Sequence, residues 1–236
     1  MTKRLMLTFA TAAALALLAA PTIGQTEHGI SWSGYLVGGE TFTEISAKWR
    51  QPKVKCTTNN ARASFWVGIS GDHTLQQSGI VAVCNSTGAP QYYKAFWEVI
   101  KTDNSSTGQE TFTAAPGDEM EATVKYKDGQ VTMIVKDETN HGKLEVTKPC
   151  SGANCPRSVA EWIVERPGSG TYPLADYGSA TFKDLKVKGE HGTEEHKLKY
   201  TPYVMESASG RTLSSCGSMD KDDHEKSFTC SFKAAE

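Results

Sequence analysis

Apolar and polar residues alternate one by one along several segments, and this period of two constrains the fold more than any other feature. Along Thr43–Trp49, every second residue is apolar or threonine, and Glu, Ser and Lys stand between them. Met120–Tyr126 alternates in the same way, Asp128-Gly129 follows shortly after, and Val131–Val135 resumes the pattern. Successive side chains of a strand point to opposite faces, and both residues of an Asp-Gly turn tolerate positive φ. The sequence therefore predicts a tight antiparallel hairpin here.

The same reading predicts further strands along the whole chain. They are Ala63–Ile69, Gly79–Cys84, Tyr92–Ile100, Lys143–Thr147, Val159–Glu165, Ser179–Lys188 and Phe228–Phe232. After the first 24 residues, no segment shows a helical apolar stripe longer than two turns. Many short strands separated by Gly, Asn, Asp and Ser predict one all-β domain, an antiparallel sandwich or barrel.

The N-terminus is typical of an export signal. Lys3 and Arg4 precede an apolar run from Leu5 to Ala20, about 16 residues long, which is shorter than a membrane-spanning helix requires. We expect a signal peptide at 1–24 and a mature domain at 25–236, secreted outside the cell or into a Gram-negative periplasm. The alternative is an uncleaved anchor.

The net charge limits the partners that the chain can bind, and its cysteines predict disulfides. Without Lys3 and Arg4, 23 basic residues stand against 27 acidic ones, a formal charge of −4, so no basic field would hold nucleic acid. Six cysteines in an exported chain predict disulfides, with 15 complete pairings possible. Proximity along the chain favours Cys150–Cys155, Cys216–Cys230 and Cys56–Cys84. A zinc site is the alternative, but no Cys-x-x-Cys or His-Glu-x-x-His motif occurs.

Candidate chemistry rests on carboxylates and amides, because the chain has no Gly-x-Ser-x-Gly elbow and no phosphate-binding glycine loop. Along Val159–Glu165, alternation places Glu161 and Glu165 on one face of an otherwise apolar strand. A solvent-facing strand surface would explain the two glutamates equally well.

Five blocks, in their order along the chain, resemble the eqolisins, a family of glutamic endopeptidases. They are Trp66–Ile69, Gln77-Ser78-Gly79, Trp97-Glu98, Ala160–Glu165 and Pro173–Tyr177, followed by the cysteine pair Cys216 and Cys230. The resemblance implies a lectin-like, concanavalin A-like sandwich of two large antiparallel sheets, with the active site on the concave sheet. It also implies that Gln77 and Glu165 are catalytic and that Trp66 and Glu98 line the substrate cleft.

This pair suits peptide hydrolysis. As a carboxylate, Glu165 would take a proton from water and return it to the leaving amine, while Gln77 orients the water and donates to the oxyanion. Glu98 would help Glu165 to keep its proton. The eqolisins commonly have an acidic residue where this chain has Ser70. Asp72, two residues further along, would face the same side of an extended strand, and we expect it to substitute for that acid. We expect a monomer that cleaves polypeptides at acidic but not extreme pH, without a metal or cofactor.

Two other functions remain open at the level of sequence. A glycoside hydrolase would use Glu98 and Glu165 as paired carboxylates and would not need Gln77. A non-catalytic lectin on the same fold would present Tyr92, Tyr93, Phe96 and Trp97 as a sugar platform.

Overall fold

The computed structural model describes residues 25–87, 89–101, 106–152, 155–220 and 226–235. The expected signal peptide, 1–24, lies outside the described residues. Among those that are described there is no α-helix, and a 3-10 turn lies at Glu195–Lys197. None of the described helical segments has the length and apolarity of a membrane span.

Fifteen strands make up the described structure. They are β1 Glu27–Gly29, β2 Trp32–Gly38, β3 Phe42–Arg50, β4 Arg62–Gly71, β5 Thr74–Cys84, β6 Pro90–Ile100, β7 Ser106–Thr113, β8 Glu119–Lys127, β9 Gln130–Asp137, β10 Lys143–Pro149, β11 Val159–Glu165, β12 Ser179–Gly189, β13 Lys199–Glu206, β14 Thr212–Cys216 and β15 Phe228–Phe232. Each predicted strand is present, within a few residues of its predicted ends. The predicted hairpin joins β8 to β9, with Asp128 at φ 50° and Gly129 at φ 74°.

The strands follow one hydrogen-bonded path that folds over itself into two layers. Its order is β10-β9-β8-β3-β12-β15-β14-β13-β2-β11-β4-β5-β6-β7, and β1 pairs parallel with β13. Strands β4 and β5 pack across β3, β8 and β9, and the main core fills the space between the layers. The all-β antiparallel sandwich predicted from the alternation is therefore confirmed.

The layer that contains β2, β11, β4, β5 and β6 carries apolar side chains on both faces. Val67 and Trp162 point into the main core, whereas Trp66 and Ile163 belong to a second cluster on the opposite face. This second cluster also contains the buried residues Leu36, Leu75 and Ile100. Burial on both faces explains why β4 and β11 are nearly continuous apolar runs.

Three disulfides join the cysteines in the arrangement that proximity favoured. Cys56 pairs with Cys84, Cys150 with Cys155, and Cys216 with Cys230. Among the described residues no cysteine is free. The bond between Cys216 and Cys230 joins β14 to β15 at directly opposed positions.

Candidate active site

Four polar or small residues lie in one lateral row across neighbouring strands. Gln77 on β5 is directly opposite Gly68 on β4, and Gly68 is directly opposite Glu161 on β11. On the other side of Gln77, Glu98 on β6 completes the row. Directly opposed residues share a face of the sheet, so these side chains project from the face that carries the second apolar cluster. Two strand spacings separate Gln77 from Glu161, or about 10 Å between Cα atoms.

Gln77 is held by one hydrogen bond and leaves its oxygen unused. Its Nε2 donates to Glu98 Oε2 at 2.8 Å. Its Oε1 is buried and has no hydrogen-bond partner among the described residues. The neighbouring Gln76 points to the opposite face of β5, where its Oε1 lies 3.8 Å from the Sγ of Cys155. The structure thus separates the two glutamines by face and leaves only Gln77 in the row.

Glu161 is fully buried, yet only one of its oxygens is hydrogen-bonded within the described structure. Ser70 donates from its Oγ to Glu161 Oε1, and Glu161 Oε2 has no partner there. Burial raises the pKa of Glu161 to about 7, against the lowering effect of the Ser70 hydrogen bond and with a further rise from the charge of Glu165. Glu161 therefore keeps its proton at acidic pH.

Glu165 lies in a different lateral row from Gln77. It is four residues along β11 from Glu161, or about 13 Å along the strand, and is opposite Ser64 on β4. Its Oε2 accepts hydrogen bonds from Trp66 Nε1 at 2.8 Å and Ser64 Oγ at 3.2 Å, and Trp32 contributes another. Burial raises its pKa as well. In this register Gln77 shares a row with Glu161, and Glu165 lies in the row of Ser64.

Trp66 lies on the predicted face but is fully buried. Trp32 covers it, with the two rings edge to face at 5.3 Å between centroids, and Tyr203 packs on the far side of Trp32. Trp32 and Tyr203 are only partly buried, so they present the aromatic surface beside the row. Trp66 itself therefore lies beneath Trp32 rather than at the surface.

Asp72 does not replace the missing acid at Ser70. Asp72 and His73 form the two-residue turn between β4 and β5, with φ of 34° and 63°, and both side chains are exposed. The expectation that Asp72 faces the same side as Ser70 assumed an extended strand, which ends at Gly71. Ser70 itself reaches Glu161 through its hydroxyl.

The residues proposed for a glycoside hydrolase or a lectin are not arranged as those functions require. Glu98 is three strands from β11 and in a different row from Glu165, so the sheet does not place these two carboxylates opposite each other. The four proposed platform aromatics divide between the two faces of β6, with Tyr93 and Trp97 in the main core. Among the described residues, no group of three or more His, Cys, Asp or Glu side chains is placed to hold a metal ion.

The sequence profile of the Peptidase A4 family matches residues 30–229, which is most of the chain. The chain belongs to the Peptidase A4 family. These are the eqolisins, so the resemblance read from the five blocks is confirmed, and the chain is a glutamic-type endopeptidase. No sequence among curated proteins matches it significantly.

Two solved eqolisin folds resemble this member of the Peptidase A4 family over nearly their whole length. Scytalido-glutamic peptidase with a transition state analog inhibitor has a TM-score of 0.69 at 17% identity, covering 86% of this chain and 98% of that one. SCP-B, described as an eqolisin in complex with the tripeptide Ala-Ile-His, has a TM-score of 0.64 at 19% identity with the same coverage. At this identity the likeness establishes the shared fold.

The sequence alone places Glu161 on the same face as Glu165 without giving it a role, marks Ser70 only as the position of an absent acid, and does not single out Trp32. The pairing of Gln77 with Gly68 could be predicted from the sequence. If Asp72 and His73 form a two-residue turn, counting back from it on both strands places Gly68 opposite Gln77. The pairing of β11 with β4 joins segments about 90 residues apart, and no local pattern fixes its register. Glu161 and Glu165 share a face, so alternation alone does not choose between them.

Proposed function

We propose that this peptidase is a secreted, monomeric acid endopeptidase in which Gln77 and Glu161 activate a water molecule against a peptide bond of a polypeptide substrate. One observation carries the assignment of the pair. Gln77 Oε1 and Glu161 Oε2 are buried polar atoms in one row, and neither has a hydrogen-bond partner among the described residues. Unpaired buried oxygens are costly, so such a pair is expected where a water or substrate binds.

Gly68 separates the two proposed catalytic residues in the row. Leu75 and Trp66 pack directly against its backbone, since a Cβ at this position would lie 2.8 Å from Leu75 Cδ1 and 2.9 Å from Trp66 Cζ3. A glycine is therefore needed here, because any side chain would displace Leu75 and Trp66 beside Gln77 and Glu161.

The raised pKa of Glu161 supports activity at acidic pH and changes the expected order of proton transfers. A glutamate with a pKa of about 7 enters the reaction neutral. The sequence instead predicts an ionised base, at Glu165. Its Oε2 gives its proton to the scissile carbonyl oxygen as the water oxygen attacks the carbon. The resulting carboxylate takes a proton from that water, which leaves a neutral gem-diol.

Collapse of the gem-diol uses the same carboxyl group. Glu161 gives its proton to the amide nitrogen, the C–N bond breaks, and one hydroxyl proton of the diol returns to Glu161. Atoms and charge balance, and Glu161 ends the cycle neutral. Gln77 Oε1 accepts a hydrogen bond from the water throughout the attack and so fixes its direction.

Export is supported by the signal-like residues 1–24 and by three disulfides, which persist in oxidising compartments. The function is tested by cleavage of an acid-denatured protein from pH 3 to 8 by the wild type, Gln77→Ala and Gln76→Ala. Gln76 is the matched control, since it is equally buried but faces away from the row. We expect Gln77→Ala to lose cleavage and Gln76→Ala to keep it. Equal cleavage by Gln77→Ala and the wild type would reject the proposal.

A further inference from the structure

Glu98 contacts Gln77 from the side opposite Glu161. The two residues are directly opposed on β5 and β6, and Glu98 Oε2 accepts a hydrogen bond from Gln77 Nε2 at 2.8 Å. We propose that Glu98 is a positioning residue that fixes which end of the Gln77 amide faces the attacking water. This inference rests on the proposed function, because it concerns how Gln77 performs its part.

The two ends of an amide differ in what they offer a neighbour. The NH₂ end only donates hydrogen bonds, and the oxygen only accepts them. In the structure Gln77 Nε2 is the donor and Glu98 Oε2 the acceptor, so this contact holds the amide in one orientation, with Nε2 towards Glu98. The other orientation would bring Gln77 Oε1 against Glu98 Oε2, and two acceptors repel. Glu98 thereby turns Oε1, the atom without a partner, away from β6.

This orientation decides whether a bound water is nucleophilic. When Gln77 Oε1 accepts a hydrogen from the water, a lone pair on the water oxygen stays available for the carbonyl carbon. When the amide is reversed, an N–H of Gln77 donates to that oxygen, occupies one of its two lone pairs and lowers its nucleophilicity. Glu98 thus favours the reactive arrangement without touching the water or the substrate itself.

The test is Glu98→Gln, which preserves size and shape but presents both a donor and an acceptor to Gln77. Both orientations of the Gln77 amide then find a partner, and we expect kcat to fall about tenfold, the effect of one hydrogen bond of ordinary strength, with KM within a factor of two. Glu98→Ala, which removes the acceptor, carries the same expectation. Glu121→Gln is the control, since Glu121 lies in a surface ion pair with Lys136 in the other layer.

A spectroscopic readout separates positioning from a structural role. The side-chain NH₂ signal of Gln77 is assigned as the one missing in Gln77→Ala. We expect its hydrogen-bonded proton to move upfield in Glu98→Gln and to stay in place in Glu121→Gln. A change in KM with unchanged kcat, or an unmoved Gln77 signal, would overturn the inference.

Failure of the inference is distinct from failure of the proposed function. If Gln77→Ala is inactive while Glu98→Gln keeps the wild-type kcat, the positioning role of Glu98 is wrong and the catalytic role of Gln77 stands. If Gln77→Ala is fully active, the proposed function itself is wrong.

Discussion

Gln77 and Glu161 lie in one lateral row of the sheet, two strands apart, with Gly68 between them. Each has one atom fixed by an outer partner, Glu98 for Gln77 and Ser70 for Glu161. Each also has one buried oxygen without a partner among the described residues. The row therefore combines fixed side chains with unused hydrogen-bonding capacity, which is what water activation requires.

The activity should fall as pH rises through about 7, because Glu161 must carry a proton and burial raises its pKa to about 7. The hydrogen bond from Ser70 favours the ionised form and lowers that pKa, so Ser70→Ala should move the alkaline limb to higher pH. The measurement is kcat/KM against pH from 3 to 9 for both proteins. An alkaline limb that stays in place in Ser70→Ala would contradict this role of Ser70.

The free energy of unfolding should fall between pH 5 and pH 8. The folded-state pKa of Glu161 is raised from 4.5 to about 7. The stabilisation that its bound proton gives the folded state is therefore fully present below pH 4.5 and is lost as pH rises through 7. The shift corresponds to at most about 3 kcal/mol. Glu165, whose pKa is also raised by burial, acts in the same direction.

Urea denaturation at pH 5 and pH 8 checks this expectation, with Glu161→Gln as the comparison. The variant has no proton to lose at position 161, so its stability should change less between the two values. The lowered pKa of Glu40, about 2, affects stability only below pH 4.5 and leaves this window unchanged. An equal loss in both proteins would show that Glu161 is not the titrating group.

Gly68→Ala should abolish most activity, because the new methyl group would approach Leu75 and Trp66 within 3 Å and force them to shift beside Gln77 and Glu161. The cost in stability is about 1–3 kcal/mol. Gly38→Ala is the control, since a Cβ there meets nothing within 4 Å. The check is kcat beside the melting temperature of each variant. A folded and fully active Gly68→Ala would show that the Gln77–Glu161 pair does not depend on this packing.

The disulfides should differ in how much they stabilise the fold. Cys56–Cys84 closes 28 residues and Cys150–Cys155 closes 5. Loop-closure entropy gives about 3.6 kcal/mol for the first and about 2 kcal/mol for the second. Denaturation of the two paired Cys→Ser variants should show the larger loss for Cys56 and Cys84, and the reverse order would indicate that local contacts outweigh chain entropy.

The fold could be predicted from the sequence where the signal is local. Alternation revealed Phe42–Arg50, and Asp128-Gly129 fixed the turn between β8 and β9. Strands β1, β2, β7, β13 and β14 were missed. In β2, Ser33 and Gly34 interrupt the apolar run, and in β13, Lys199–Glu206 mixes Pro and Lys with its apolar residues. Their place in the sheet comes from pairing with distant strands rather than from their own pattern.

The sequence predicted the two strands of the site, but not which glutamate lies in the same row as Gln77. The residues around Gln77 and the Val159–Glu165 strand identify the two strands that matter, but which glutamate faces Gln77 depends on how β11 aligns with β4. A shift of four residues in that register would exchange Glu161 for Glu165 without moving either to the other face. Only the three-dimensional pairing settles the alignment.

The most direct test compares Glu161→Gln with Glu165→Gln, two isosteric changes on one strand and one face. Single-turnover cleavage of a peptide substrate at pH 4 gives the chemical rate for each. We expect the rate of Glu161→Gln to fall about a thousandfold or more, as for loss of a general acid–base group, and that of Glu165→Gln to stay within about tenfold of the wild type. The opposite order, with Glu165→Gln inactive and Glu161→Gln active, would contradict the pairing of Gln77 with Glu161.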